Sequence, residues 1–198
     1  MLYSQLPLDL PQPIVIASAI RSGSTELLRR LARDHMIPSW FNEPHRDPAQ
    51  YPNFITALHN QKQWILKFHY HELRQARSIE TATNHYVMAL IMSKTRIRLR
   101  RRDLAQQAAS LYLARITNRW SQHRPDLPTV NCKVDHSLMQ LICDEIHHYE
   151  QRFALNQFSW HYDLYYEDLD WDPAGAIQYP TSKPENYSEL VDLARQYL

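Results

Sequence analysis

The sequence predicts an α/β fold: a three-layer sandwich in which helices flank a central, mainly parallel β-sheet. Three observations predict it. Short apolar runs alternate with stretches of helical spacing, the pattern of βαβ units. The first apolar run passes straight into a glycine-centred loop and then a helix. A second strand-to-helix junction, around Arg102, repeats that arrangement. At 198 residues, the chain fits one domain, 1–198, large enough for a full core.

Taken in order, Met1 to Pro13 is proline-bearing, lacks the charged start of a signal peptide, and is expected to be an extended lead-in. Ile14 to Ala19 reads as a buried strand. Leu27, Leu28 and Leu31 then recur at helical spacing, so a helix runs from about Ser24 to about Asp34. His35 to Pro52 holds Pro38, Pro44, Pro48 and Pro52 and is expected to be mostly loop. Trp64 to Tyr70 is a short aromatic and apolar run, a strand. Glu80 to Met92 reads as a helix. Thr95 to Arg100 alternates polar and apolar, the signature of a strand. Asp103 is a good N-cap for the helix that follows, marked by Leu104, Ala105, Ala108, Leu111, Tyr112 and Ile116. Asn118 to Thr129 reads as a surface loop, Val134 to Leu155 as a long helix, Phe158 to Glu167 as a strand and Ser188 to Leu198 as a closing helix.

Composition narrows the function classes. Hydrophobic residues make up 44% and charged residues 22%, which is globular. A net charge of +1 argues against nucleic acid as a partner, so any anion site must be local. Cys132 and Cys143, the two cysteines, form neither a disulfide framework nor a metal-ligand cluster, which fits a reducing, cytoplasmic setting. No apolar run reaches the ~18 residues of a membrane span, so no membrane is expected as a partner.

Glycine usage points to the candidate site. The chain has only 2 glycines, and Gly23 stands at the centre of the loop after the first strand. Strand, tight loop and helix N-terminus together gather free backbone N–H groups and the positive end of a helix dipole, a cradle for an anion. Arg21 adds a fork of donors, and Ser22, Ser24 and Thr25 add hydroxyls. An ordinary capped turn is the alternative. The nucleoside triphosphate loop G-x-x-x-x-G-K-[ST] is not matched, because the second glycine and the lysine are missing. Lys67 and His69 are two apart on a strand and share a face. A solvent-facing lysine and an ordinary core or surface histidine remain the alternatives. Glu43 lies in the loop Asn42-Glu43-Pro44-His45, near enough to the anion site to meet a substrate.

Three segments, in this order, resemble the sulfotransferase family, particularly its bacterial carbohydrate-type branch, similar to trehalose 2-sulfotransferases. Ile20-Arg-Ser-Gly-Ser-Thr25 resembles that family's loop for the 5′-phosphosulfate of PAPS (3′-phosphoadenosine-5′-phosphosulfate). Arg102 followed eight residues later by Ser110 resembles its 3′-phosphate motif, and roughly 10 Å of helical rise between Asp103 and Ser110 lets a long arginine and the hydroxyl share one phosphate. Leu164 to Leu169, followed by Asp172-Pro173, is similar to a later strand of the family. Lys67-Phe-His69 matches its Lys-x-His. The match spans about residues 13 to 173, and Pro184 to Leu190 is similar to the ends of short bacterial members.

The resemblance implies a P-loop NTPase-like version of the sandwich. It implies transfer of a sulfuryl group from PAPS to a hydroxyl or amine of a carbohydrate or other small acceptor, without a metal. Arg21, Ser22, Gly23, Ser24, Thr25, Arg102 and Ser110 are then the donor-binding residues. Lys67 neutralises charge, and either His69 or Glu43 is the base. Two departures stand out: Ile20 occupies a position where the family often has proline, and a late Arg-Lys-Gly loop is missing, with only Lys183 in that region. The alternatives are a P-loop nucleotide kinase and a non-catalytic adenosine 3′,5′-bisphosphate-binding protein of the same fold. Trp40, Phe41, Tyr51 and Trp120 could stack on a sugar ring or simply pack.

Overall fold

The computed structural model describes residues 6–7, 9–60, 63–70, 80–117, 133–154, 158–169 and 186–198. The elements are β1 (Ile14–Ser18), α1 (Ser24–Asp34), β2 (Trp40–Asn42), a 3-10 turn (Pro44–Arg46), α2 (Gln50–Asn60), β3 (Ile65–His69), α3 (Glu80–Met92), β4 (Thr95–Arg100), α4 (Leu104–Thr117), α5 (His136–Ala154), β5 (Tyr162–Tyr165), a second 3-10 turn (Tyr166–Asp168) and α6 (Tyr187–Tyr197). The five strands form one sheet in the order β2-β3-β1-β4-β5, and every pairing is parallel. The expected α/β sandwich is thus observed, with a sheet that is wholly parallel.

β1 is central because it is apolar on both faces, the mark of an interior parallel strand. Ile14 and Ile16 pack with Leu27, Leu28 and Leu31 of α1 on one face. Val15 and Ala17 pack on the other with Phe54 and Leu58 of α2 and Tyr86 and Leu90 of α3. A third cluster joins α4, α5 and α6 through Leu111, Tyr112, Ile142, Cys143, Leu190 and Leu193. β4 alternates: Thr95, Ile97 and Leu99 are buried, while Arg96, Arg98 and Arg100 are half-buried on the opposite face. Asp163 of β5 accepts from Arg98 Nε at 3.0 Å and from Arg100 Nη2 at 2.9 Å. These charge-assisted bonds fix the last strand where apolar alternation alone is weak.

Two stretches differ from the sequence reading. The proline-rich stretch from His35 to Pro52 contains β2, a 3-10 turn and the start of α2. β2 has only three residues, too few for a periodicity to register. Pro44 suits the first position of its turn, where its missing N–H leaves no bond unmade. Pro52 falls in the first turn of α2 for the same reason. The strand expected from Phe158 to Glu167 is confined to Tyr162–Tyr165 and passes into the second 3-10 turn. The loop expected at 118–129, with Trp120, and the positions Cys132, Asp172-Pro173, Lys183 and Pro184 lie outside the described residues. Among the described residues no helix is long and apolar enough to cross a membrane.

The topology creates a crevice. The chain leaves β1 toward β2 on one side of the sheet and leaves β4 toward β5 on the other. Adjacent parallel strands whose connections diverge open a cleft at their carboxyl ends, the usual ligand position in such sheets. The Gly23 loop and the segment Arg101–Asp103 both follow those two ends.

Candidate functional site

The loop after β1 is held open by its carbonyls. Ser22 Oγ donates to Ala19 O at 2.7 Å. Gln107 Nε2 of α4 donates to Ile20 O at 2.6 Å, and Arg101 Nη1 donates to Arg21 O at 3.4 Å. A trans peptide points its N–H opposite its C=O, so tying down three successive carbonyls turns the next amides the other way. Gly23 is left-handed at φ 78° and caps α1, and Arg21 is left-handed at φ 62°. Alternating left-handed residues make a concave nest of N–H groups that suits an anion. A left-handed arginine costs of order 1–3 kcal/mol and persists where its surroundings fix it. Ser22 and Ser24 are buried, and the Ser22 hydroxyl is already spent on bracing the loop. Thr25 is half-buried in the first turn of α1.

The second expected anion site is arranged differently from the sequence reading. Ser110 accepts a hydrogen bond from Arg21 Nε at 2.9 Å. Arg102 turns to Asp168, stacks over the Tyr165 ring at 4.3 Å, and is 54% exposed. Glu167 ties the same junction, accepting from the backbone N–H of Arg102 at 3.0 Å. Asp168, in the turn after β5, therefore takes the Arg102 guanidinium, while Glu167 holds the Arg102 backbone. Arg101 is the cation beside Arg21. Burial and the Arg101 charge push the Arg21 guanidinium below its ordinary pKa, while Tyr187 of α6 acts in the opposite sense. A buried cation with a second cation beside it favours an incoming anion.

Across β1, the three candidate catalytic residues meet. Ile16 is in register with Lys67, and Ser18 with His69, so Lys67 and His69 point to the α1 face. Asn42 is opposite Lys67, which delivers the next residue, Glu43, to the end of β3. The Glu43 N–H donates to Lys67 O at 2.9 Å, and Glu43 adopts φ 51°. Its Oε1 receives Lys67 Nζ and lies 3.1 Å from His69 Nε2, while its Oε2 lies 3.1 Å from Arg46 Nε. Burial would raise the Glu43 pKa, but His69 and Lys67 beside it outweigh that and hold the carboxyl well below the usual carboxylate range. His69 is pushed down to about 4 by burial and by Lys67, against the pull of Glu43. The imidazole is therefore neutral near pH 7, with Lys67 Nζ 2.9 Å from Nε2 and Ser18 Oγ 3.1 Å from Nδ1. The arrangement can hold an ionised carboxylate beside a cation at the carboxyl end of β3.

The two groups are close along the chain. Ser18 and Arg21 are three positions apart, a reach of at most roughly 10 Å. Ser18, Arg46, Arg101, Gln107 and Tyr187 are contributors that sequence reasoning missed. A serine ending a buried strand immediately before an anion loop was the available signal for Ser18. Gln107 lies mid-helix and gives none. Of the aromatics, Phe41 is core and packs edge-on to Phe54, Tyr51 shares a hydrogen bond with His85 at 2.9 Å, and Trp40 is 45% exposed. A cavity of about 340 Å³ lies between Asp9–Gln12 and Asp34–Met36, at the opposite end of β1 and α1 from these groups.

The fold and this edge define a three-layer α/β protein with a left-handed, glycine-centred loop beside a buried carboxylate–lysine–histidine cluster. Comparison of the chain with protein-family models, with curated proteins and with solved structures gives no match.

Proposed function

We propose that this chain is a sulfotransferase that moves a sulfuryl group from PAPS to a hydroxyl or amine of a carbohydrate or other small acceptor, by in-line displacement, in the cytoplasm. The observation that carries the reading is the meeting of Glu43, Lys67 and His69 within a few residues of the nest at Gly23. PAPS carries two separated anionic groups, and the crevice offers two cationic surroundings, the loop amides with Arg21 and the region of Arg21, Arg101 and Ser110. Glu43 is the base in this reading. It is ionised and its two oxygens keep lone pairs beyond their contacts with Lys67, His69 and Arg46, whereas a neutral imidazole with both nitrogens engaged has no lone pair left. Its carboxylate takes the acceptor proton as the acceptor oxygen bonds to sulfur. The bond from sulfur to the 5′-phosphate oxygen breaks, and adenosine 3′,5′-bisphosphate leaves. Arg21 and the loop amides neutralise the departing oxygen, and Lys67 neutralises charge beside the base, by analogy with phosphoryl transfer.

The test is calorimetric titration with adenosine 3′,5′-bisphosphate, ATP and AMP, followed by transfer of labelled sulfuryl from PAPS to a panel of sugars. Binding that requires the 3′-phosphate, together with transfer, is the expected result. Equal or tighter binding of ATP overturns it in favour of a nucleotide kinase. Binding of the bisphosphate without transfer overturns catalysis and leaves a nucleotide-binding protein.

A further inference from the structure

Glu43 is held by Lys67, and the question is what aims a buried lysine at one carboxylate. Lys67 is fully buried on β3, and its Nζ lies 2.9 Å from His69 Nε2. An ammonium donates and never accepts. The Nε2 facing it must therefore present a lone pair. A neutral imidazole then carries its single proton on Nδ1, which points at Ser18 Oγ 3.1 Å away. Ser18 is fully buried, so the oxygen is a built part of the interior and not a chance surface contact. The opposite tautomer places an N–H at Nε2, where it can donate to Glu43 Oε1 at 3.1 Å but turns a donor against Lys67.

We infer, on the reading of Glu43 as the base, that Ser18 is its positioning residue: it accepts the Nδ1 proton of His69, which turns Nε2 toward Lys67 and holds that lysine on the Glu43 carboxylate. Register makes this possible. Ser18 and His69 are opposite one another in the β1–β3 pair, and Ser18 is the last residue of β1. The charged groups acting on His69 are Lys67 from its own strand and Glu43 and Arg46 from the turn after β2, while β1 faces it with a hydroxyl. Without an oxygen at position 18, Nδ1–H has no acceptor in that direction, and the Nε2–H form gains against it. Lys67 then loses its seat between His69 and Glu43. Because Ser18 also begins the connection into the anion loop, one residue joins the base to the strand that carries the nucleotide cradle.

Nitrogen NMR of the nucleotide-free protein near neutral pH tests this. The wild type is expected to show His69 as the Nδ1–H tautomer. In Ser18→Ala the Nε2–H form grows, and Ser18→Thr restores the Nδ1–H form. With PAPS and an acceptor, Ser18→Ala is expected to lower kcat by about 10–100-fold, the range for removing a histidine's orienting partner. Nucleotide affinity stays unchanged, and Ser18→Thr restores turnover. A wild-type His69 that is Nε2–H or cationic overturns the inference without any variant. So does a Ser18→Ala protein whose His69 tautomer matches the wild type. NMR results as expected, with no transfer by the wild type, overturn the sulfotransferase reading and leave the Ser18–His69–Lys67–Glu43 arrangement supported.

Discussion

Arg21 Nε donates to Ser110 Oγ across 2.9 Å, although the two residues are 89 positions apart in the chain. The contact ties the loop after β1 to the middle of α4. It also sets the order in which the arginines should matter. Arg21→Ala removes a charge-assisted bond and a cation from the crevice, a loss of about 1.5–3 kcal/mol, or roughly 10- to 150-fold in affinity for adenosine 3′,5′-bisphosphate. Arg101→Ala should weaken binding more than Arg102→Ala, because Arg101 donates to Arg21 O in the loop itself and its ion pair with Glu167 is long, at 3.5 Å, whereas Arg102 is tied to Asp168. Calorimetry on the three variants reads this order directly.

Glu43→Gln keeps the shape of the side chain and removes its charge. Turnover should fall ~10²–10⁴-fold, the usual contribution of a general base, with nucleotide affinity little changed. His69→Gln should cost less, since the ring acts through Lys67. Turnover at saturating PAPS, measured beside binding, separates the two residues.

Acid should destabilise the protein in a defined window. His69 is lowered from 6.5 to about 4, so between those values the unfolded chain binds a proton that the folded chain does not. Stability therefore falls as pH drops through that window, with a limiting slope of about 1.4 kcal/mol per pH unit. The depressed Glu43 acts in the same direction: its contribution is present above the ordinary carboxylate value and fades toward lower pH. Urea unfolding at a series of pH values should show the slope in the wild type and a shallower one in His69→Gln.

Gln107 donates from α4 to Ile20 O at 2.6 Å and is 1% exposed. Gln107→Leu keeps the packing volume but leaves that carbonyl without its donor. The loop should loosen and nucleotide affinity fall by up to roughly 100-fold, equivalent to about 1–3 kcal/mol. A circular dichroism spectrum like that of the wild type would show that the loss is local. Unchanged affinity would mean that the carbonyl does not orient the loop.

Asp163 gathers Arg98 and Arg100 against the edge strand β5. Asp163→Ala leaves two half-buried guanidiniums facing each other, and should cost about 1–3 kcal/mol of stability. Amide exchange should quicken first in Tyr162–Tyr165, because the remaining pairing of that strand is short.

Much of this fold was legible because its strands are interior and its helices amphipathic. Ile14 to Ser18 announces itself as a continuous apolar run, and Thr95 to Arg100 as an alternating one. β2 was not legible, since three residues supported by register with β3 carry no period of their own. The meeting of Lys67 with His69 followed from their spacing on one strand. The arrival of Glu43 did not, because it depends on a left-handed residue at the end of that unrecognised strand. Arg102 was chosen by its spacing from Ser110, and spacing says nothing of Asp168, sixty-six positions away, which holds it. Long-range acids are what a local motif cannot weigh.

The carbonyl anchors of the loop have a consequence for how the protein comes together. Ser22 is local, but Arg101 and Gln107 arrive only when β4 and α4 have docked against β1. A half-assembled chain has the glycine and the serines without the shape. On the proposed function, nucleotide would recognise the finished sheet and not its precursors, and each bound molecule would withdraw a completed copy from the folding equilibrium. At one hundred times its Kd that is about 2.7 kcal/mol of added stability. A cell rich in such a nucleotide would then hold more of this protein in its assembled state, with no change in its sequence or its synthesis.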